Sequence, residues 1–122
     1  MKPEVEPPTE AVLYGIKTCD RCRKALLWLK SHNQPHCFHD LRSDGLEPSL
    51  LAAWINALGW ESLLNRKSTT WRELPASDRE NLDIQRATDL MLAHPTLIKR
   101  PILGMDGRWI LGFSPEHYSH LL

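Results

Sequence analysis

The stretch that decides the fold is Ala11-Val12-Leu13-Tyr14-Gly15-Ile16-Lys17-Thr18-Cys19-Asp20-Arg21-Cys22. Its first six residues form a short apolar run that ends near a glycine, which is typical of a buried strand. From about Asp20 to His32 the chain is predicted to be helical, because apolar residues recur there at helical spacing: Cys22, Ala25, Leu26 and Leu29. His36 to Asp40 is predicted as a second strand. These forty residues therefore predict a β-α-β unit with parallel strands.

The middle of the chain is predicted to be helical. Glu47-Pro48 can start a helix with proline at its first position, and Gly59 suits the C-terminal cap. A short helix is predicted from about Glu61 to Asn65. Ser77-Asp78-Arg79-Glu80 has the spacing of a capping box, which predicts that a longer helix opens there and stops before Pro95.

The last part of the chain is predicted to return to strand. Ile102–Met105 and residues 109–111 flank Asp106-Gly107, which is the pattern of a hairpin. Ser114-Pro115 then opens a final helix, with serine as its cap. The element order is β-α-β, a helical insert, and β-β-α. This order predicts an α/β protein with a thioredoxin-like fold and a helical insertion.

Composition limits the function classes. The 122 residues carry 15 basic and 15 acidic side chains, and a net charge of zero gives no general attraction for nucleic acid or a membrane. Residues 1–10, MKPEVEPPTE, are acidic and proline-rich, which predicts a disordered tail before a single domain at 11–122. This tail does not resemble a signal peptide, and three cysteines do not form a disulfide framework. We therefore expect a cytoplasmic monomer.

The pair Cys19 and Cys22 is the candidate reactive centre. Cys19 lies where the first strand leads into the first helix, and the N–H groups and dipole at a helix start stabilise a thiolate. Nearby cations, Lys17, Arg21, Arg23 and Lys24, are also expected to lower its pKa. Cys22 lies one turn further on, so it is the natural resolving thiol for a mixed disulfide on Cys19. The alternative is that Cys22 is only a small apolar residue of the helix's inner face.

Metal binding is the competing chemistry. Cys19, Cys22, His32 and His36 imitate the order of a Cys₂His₂ zinc site. The cysteines would open a helix here, however, whereas a zinc finger places them on a hairpin before it. We therefore predict no metal site, and we expect Cys37 to be a strand cysteine without a role.

Several segments in the same order resemble the ArsC/Spx family, and its YffB-like, arsenate-reductase-related subgroup in particular. The segments are Leu13-Tyr14-Gly15-Ile16-Lys17-Thr18-Cys19-Asp20, Phe38-His39-Asp40, Leu58-Gly59-Trp60, Leu63-Leu64-Asn65-Arg66, Thr69-Thr70-Trp71 and Ile98-Lys99-Arg100-Pro101-Ile102. The resemblance implies a catalytic Cys19, a functional Arg100 and a cis-proline at Pro101 facing the cysteine. It also implies a thiol reductase that uses glutathione as co-substrate. Lys17, Arg66 and Pro101 are then the expected substrate-binding residues, beside the catalytic Cys19, Cys22 and Arg100.

Two departures from the family pattern leave alternatives open. Arsenate reductases of this family use three arginines, but only Arg100 falls in register here. The first position is Asn65, with Arg66 beside it, and the last is replaced by Phe113. Because an oxyanion needs several charge-assisted donors, this predicts at most a weak arsenate reductase. The second departure is Cys22, since a cysteine pair is typical of Spx-like redox-sensitive regulators that bind the RNA polymerase alpha subunit.

Overall fold

The computed structural model describes residues 5–121. Its strands are β1 (Ala11–Gly15), β2 (His36–Asp40), β3 (Ile102–Met105) and β4 (Arg108–Leu111), and its helices are α1 (Asp20–Ser31), α2 (Pro48–Leu58), α3 (Trp60–Leu63), α4 (Thr69–Glu73), α5 (Ile84–Ala93) and α6 (Pro115–Ser119). The chain divides into two compact units. The sheet unit consists of Glu6–Gly45 and the chain from Arg100 onward, and the helical unit is built on Leu46–Lys99.

The sheet unit contains four strands in the order β2-β1-β3-β4. β1 and β2 are parallel, as the predicted β-α-β unit requires, with Leu13 opposite Phe38. β3 runs antiparallel to both β1 and β4. The β-α-β and β-β-α halves thus meet along β1 and β3, which is the arrangement of a thioredoxin-like core.

One face of this sheet is buried under helices α1 and α6. Its core consists of side chains from both halves: Ala11, Leu13, Ala25, Leu29, Leu103, Met105, Ile110 and Tyr118. Burial alternates along β1, as expected for a strand with one covered face. The core therefore joins the end of the chain to the helix that follows Cys19.

The predicted hairpin and final helix are confirmed. Asp106 and Gly107 both have positive φ, 49° and 74°, so they form a tight turn whose twist matches the strands. The hydroxyl of Ser114 accepts the His117 N–H at 3.0 Å and caps α6. Both features were predictable because the residues that determine them are adjacent in sequence.

The helical unit contains both predicted helices, α2 at Pro48–Leu58 and α3 at Trp60–Leu63, where a helix from about Glu61 to Asn65 was expected. Gly59, between them, has a φ of +85°, a conformation that glycine adopts without strain. The C-terminal end of this unit pairs with the segment that follows α3. The Asn65 N–H donates to the Leu97 carbonyl at 2.7 Å, and the Lys99 N–H donates to the Leu63 carbonyl at 2.8 Å.

Two helix boundaries differ from the sequence-based expectation. The predicted helix start at Ser77 is wrong, because residues 76–78 form only a short 3₁₀ turn and α5 begins at Ile84. Asp83 is the cap, and its carboxylate accepts the Arg86 N–H at 2.8 Å. The structure also contains α4, which the sequence analysis missed. Ser68 caps α4 by accepting the Trp71 N–H at 3.1 Å.

The N-terminal segment was predicted to be disordered over residues 1–10, of which residues 1–4 lie outside the described residues. Residues 5–10 form no helix or strand. Pro8 nevertheless packs against Gly104, and the Thr9 carbonyl accepts the Asp106 N–H at 3.1 Å. The described end of this segment is therefore held on the hairpin, and the prediction of one domain over 11–122 stays a prediction. Across residues 5–121, none of the helices has the length and apolar character needed to span a bilayer.

The cap assignment can be tested by substitution. We expect Asp83→Ala to lower the free energy of unfolding by about 1 kcal/mol, because the first turn of α5 loses its side-chain acceptor. Ser77→Ala is the matched control and should leave stability unchanged, since within residues 5–121 its side chain makes no hydrogen bond. Its backbone carbonyl, which accepts from the Arg86 guanidinium, is kept in the variant. Urea unfolding followed by circular dichroism measures both. A larger loss for the Ser77 variant would contradict the assignment.

Candidate active site

One edge of the sheet brings three distant segments together. Because β1 and β2 are parallel, their carboxyl ends meet at the same edge, and antiparallel β3 begins there. Cys19 follows β1, Asp40 closes β2, and Arg100 and Pro101 directly precede β3. All four belong to the sheet unit.

Cys19 is the N-cap residue of α1. Its N–H donates to the Ile16 carbonyl at 2.9 Å, which closes a tight turn, and its carbonyl accepts the Arg23 N–H at 3.0 Å. The side chain is half-buried, so a small molecule can reach the sulfur. The turn therefore places the thiol at the helix start, where the first N–H groups of α1 favour a negative charge.

Cys22 lies one turn along α1 and is fully buried. Its sulfur packs directly on Gly15 of β1, and a Cβ at position 15 would overlap it. Glycine is required there for this close approach. Like Cys19 and Cys37, Cys22 is a free thiol in the structure.

The two sulfurs have opposite acidities. Burial opposes ionisation of Cys19, but interactions with the backbone N–H and thiol of Cys22, together with hydrogen bonding and charge from Arg100, bring its pKa below the usual value. Burial raises the pKa of Cys22 to about 12, and the nearby Cys19 adds to the rise. The half-buried thiol of Cys19 is thus the one prepared to become a thiolate, while the buried thiol of Cys22 stays protonated at neutral pH.

Arg100 and Pro101 form the β3 side of the site. The peptide bond between them is cis, as the family resemblance implied. Pro101 is buried, and its carbonyl accepts the Gly112 N–H at 2.8 Å. This pairing extends the β3–β4 ladder by one bond and fixes the backbone from which Arg100 reaches Cys19.

The source of positive charge differs from the one expected. Residues near Cys19 in sequence were predicted to lower its pKa, but the guanidinium that does so is Arg100. Lys24 instead forms an ion pair with Asp20 at 3.2 Å, and Arg23 donates to the Thr18 carbonyl at 3.4 Å. These neighbours are exposed to solvent, which weakens their effect on the sulfur.

Asp40 is a structural part of the site that the sequence analysis quoted but assigned no role. It is almost fully buried, and its carboxylate accepts three backbone N–H groups: Lys17 at 2.8 Å, Arg42 at 2.8 Å and Ser43 at 3.1 Å. Burial raises the pKa of the Asp40 carboxyl, but these three bonds and the charge of Lys17 outweigh it, so the pKa lies below its usual value. Asp40 therefore ties the turn before Cys19 to the turn after β2.

The remaining predicted site residues are placed as follows. Lys17 is exposed in the turn before Cys19, so it lies near the thiol in the same unit. Arg66 belongs to the helical unit, where it is exposed and its guanidinium lies 5.7 Å from the centre of the Trp71 ring. Phe113, at the family's third arginine position, packs edge-on against Tyr118 in the sheet core. Within residues 5–121, no three His, Cys, Asp or Glu side chains are grouped to hold a metal ion.

A parallel β-α-β unit with a cysteine pair at the start of its helix defines a thioredoxin-like protein. The chain belongs to the ArsC family, whose model matches residues 14–121. It is similar to a solved YffB protein, with 43% identity over 90% of this chain and 96% of the other and a TM-score of 0.86. An arsenate reductase (ArsC) related protein from Brucella melitensis is 42% identical over 92% and 93% of the two chains, with a TM-score of 0.75. The global transcriptional regulator Spx 1 of Lactococcus lactis is 30% identical over 90% of this chain and 87% of its own.

The effect of Arg100 on the thiol can be measured. We expect Arg100→Met to move the midpoint of Cys19 alkylation to higher pH by about one unit, because the thiolate loses the hydrogen bond and the positive charge that Arg100 supplies. Arg23→Met, which removes a neighbouring but solvent-directed cation, should leave the midpoint nearly unchanged. Rates of iodoacetamide labelling against pH, with the modified cysteine mapped by mass spectrometry, provide the measurement. Equal shifts in the two variants would refute a specific role for Arg100.

The role of Asp40 predicts a pH dependence of stability. Because its pKa is lower in the folded state than in the unfolded state, its contribution is present above the unfolded pKa and is lost as the pH falls through the folded value. We expect Asp40→Asn to lower the free energy of unfolding at pH 7 by about 1–3 kcal/mol. The difference from wild type should shrink on acidification. Denaturant titrations between pH 7 and pH 3 measure it, and a constant difference would contradict the assignment.

Proposed function

We propose that the protein is a thiol–disulfide oxidoreductase that uses Cys19 as nucleophile and glutathione as co-substrate. The observation that supports this most directly is the contrast in acidity between Cys19 and Cys22. A pKa below the usual thiol value on the accessible sulfur favours attack on a disulfide, and a raised pKa on the buried sulfur keeps that sulfur protonated until it is needed. Membership of a family that includes arsenate-reductase-related proteins is consistent with thiol chemistry.

The proposed reaction runs in two exchanges. The Cys19 thiolate attacks one sulfur of a disulfide, a new sulfur–sulfur bond forms, and the other half leaves as a thiolate. The mixed disulfide on Cys19 is then attacked by a second thiolate, either Cys22 after it loses its proton or a glutathione molecule. Attack by Cys22 leaves a Cys19–Cys22 disulfide, which two further glutathione molecules reduce while they are oxidised to glutathione disulfide. When glutathione attacks instead, it leaves joined to the substrate half by a disulfide, and unless that half is itself glutathione a second glutathione reduces this product to a free thiol and glutathione disulfide. By either route two electrons pass from glutathione to the substrate in each cycle.

Arg100 has a defined task in this scheme. Its guanidinium stabilises the Cys19 thiolate before attack and again when Cys19 becomes the leaving group. The helix start supports the same charge from the other side.

Substitution of each cysteine tests the scheme. We expect Cys19→Ser to abolish glutathione-dependent reduction of a small disulfide, at least a hundredfold below wild type, because an alcohol is not ionised at neutral pH. Cys22→Ser should retain the first exchange and accumulate a glutathione adduct on Cys19, visible by intact-mass spectrometry. Cys37→Ser is the matched control, since Cys37 is exposed on β2 and should have no effect. Full turnover by the Cys19 variant would reject the proposal.

A redox-sensitive regulator is the second candidate. The cysteine pair and the 30% identity to an Spx regulator favour it. This function would show as stoichiometric capture of the RNA polymerase alpha subunit that changes when Cys19 and Cys22 are joined, without turnover of glutathione. Arsenate reduction is less favoured, since a phenylalanine packed in the core stands at the third arginine position.

We further propose that the protein works as a monomer in the cytoplasm.

A further inference from the structure

We propose that a shallow depression beside Cys19 binds a carboxylate of the glutathione moiety of the substrate disulfide. The depression has a volume of about 190 Å³ and lies in the sheet unit, lined by Ile16, Lys17, Thr18, Asp40, Arg42 and Ser43. This inference rests on the proposed function and adds the recognition of its substrate. Arg42 takes no part in the sulfur exchanges. We infer that it binds the carboxylate of the substrate instead.

The depression exists because Asp40 holds two turns together. One carboxylate oxygen accepts the Lys17 N–H, and the other accepts the N–H groups of Arg42 and Ser43. The backbone of both turns therefore faces Asp40, and their side chains form the rim. A second carboxylate, that of Asp44, fixes the later turn by accepting the Asp40 N–H at 2.9 Å. The rim is thus built on a tethered backbone.

The rim presents positive charge and hydroxyl groups to solvent. Lys17 and Arg42 are both exposed, and within the described part of the chain neither has a carboxylate at salt-bridge distance. Thr18 and Ser43 add hydroxyl groups. Among the residues that line the depression, Asp40 is the one acid against two cations, and its oxygens already accept three hydrogen bonds. The Asp44 carboxylate, outside the lining, is occupied by the Asp40 N–H. An incoming carboxylate would meet charge-assisted donors.

The position of the depression suits a ligand whose sulfur reacts at Cys19. Thr18, on its rim, directly precedes Cys19 in sequence. The depression lies on the β2 side of β1, whereas Arg100 approaches the sulfur from the β3 side. A glutathione disulfide attacked at Cys19 can therefore extend one of its carboxylates toward Lys17 and Arg42 without displacing Arg100.

The expected kinetic effect is on substrate capture. A carboxylate held in the depression is bound equally before and during sulfur exchange, so its loss should weaken binding rather than slow the exchange itself. The carboxylate makes and breaks no covalent bond, so the two sulfur exchanges proceed with the same atoms and electrons.

The test compares a charged disulfide with a neutral one. The double variant Lys17→Met/Arg42→Met is reduced and mixed with glutathione disulfide or with bis(2-hydroxyethyl) disulfide, which has no carboxylate. We expect the second-order rate with glutathione disulfide to fall about tenfold, in line with the loss of charge-assisted hydrogen bonds, and the rate with the neutral disulfide to stay within twofold. The neutral substrate also corrects for any change in the acidity of Cys19.

A matched charge control is available in the same unit. Lys30 at the end of α1 and Arg108 at the start of β4 are exposed and lie away from the Cys19 edge. Lys30→Met/Arg108→Met removes the same charge, and we expect its rate with glutathione disulfide to match wild type. An equal loss in the two double variants would show a general charge effect and overturn the site. An equal loss with both disulfides in the Lys17/Arg42 variant would also overturn it.

A binding measurement on the wild-type protein keeps the proposal testable if the variant fails to fold. S-methylglutathione carries the carboxylates but cannot exchange its sulfur. We expect it to shift the amide resonances of residues 16–18 and 42–43 in a nuclear magnetic resonance titration, and shifts confined elsewhere would reject the depression. Failure of the wild type to react with either disulfide would instead reject the redox function on which this inference depends.

Discussion

The buried carboxylate of Asp40 is the interaction on which the geometry of the Cys19 edge depends. It closes β2 and collects N–H groups from the turn that precedes Cys19 and from the turn that follows β2. A buried charge is tolerated only when its oxygens are satisfied, so both turns must keep their shape for the strand end to stay folded. The position of the Cys19 thiol is in this way set by the stability of the sheet, and the two cannot be altered independently.

Most of the sheet unit was predictable because its signals are local. The apolar run before Gly15, the Asp106-Gly107 turn and the Ser114 cap each depend on residues next to one another. The helical insert was harder, since two capping signals compete within a few residues. The Ser77 pattern predicted a helix start, yet Asp83 supplies the cap that forms, and the Arg86 guanidinium bonds the Ser77 carbonyl instead.

The chemistry of the site was predictable only in part. Cys19 and Cys22 are identified by their spacing, and Arg100 and Pro101 by the family resemblance. The source of the positive charge that lowers the pKa of Cys19 was not predictable in this way. Cations near Cys19 in sequence were expected to act on its sulfur, but the helix directs Arg23 and Lys24 toward solvent. The role of Asp40 could not be predicted from the sequence for a different reason. Its partners are backbone N–H groups of two separate turns, and every residue except proline carries such a group, so the residue types do not indicate the contact.

The contact between Cys22 and Gly15 has a further consequence for survival under oxidative stress. A cysteine sulfur is damaged irreversibly when it gains two or three oxygen atoms, and each oxygen needs space around the sulfur. Cys22 has none, since its sulfur fills the position that a side chain at residue 15 would occupy. Its protonated state adds to this protection, because oxidants attack the thiolate. Peroxide is therefore expected to react with Cys19 before Cys22. Under the resolving role proposed above, the buried sulfur stays reduced and can close a disulfide with Cys19 before the damage becomes permanent.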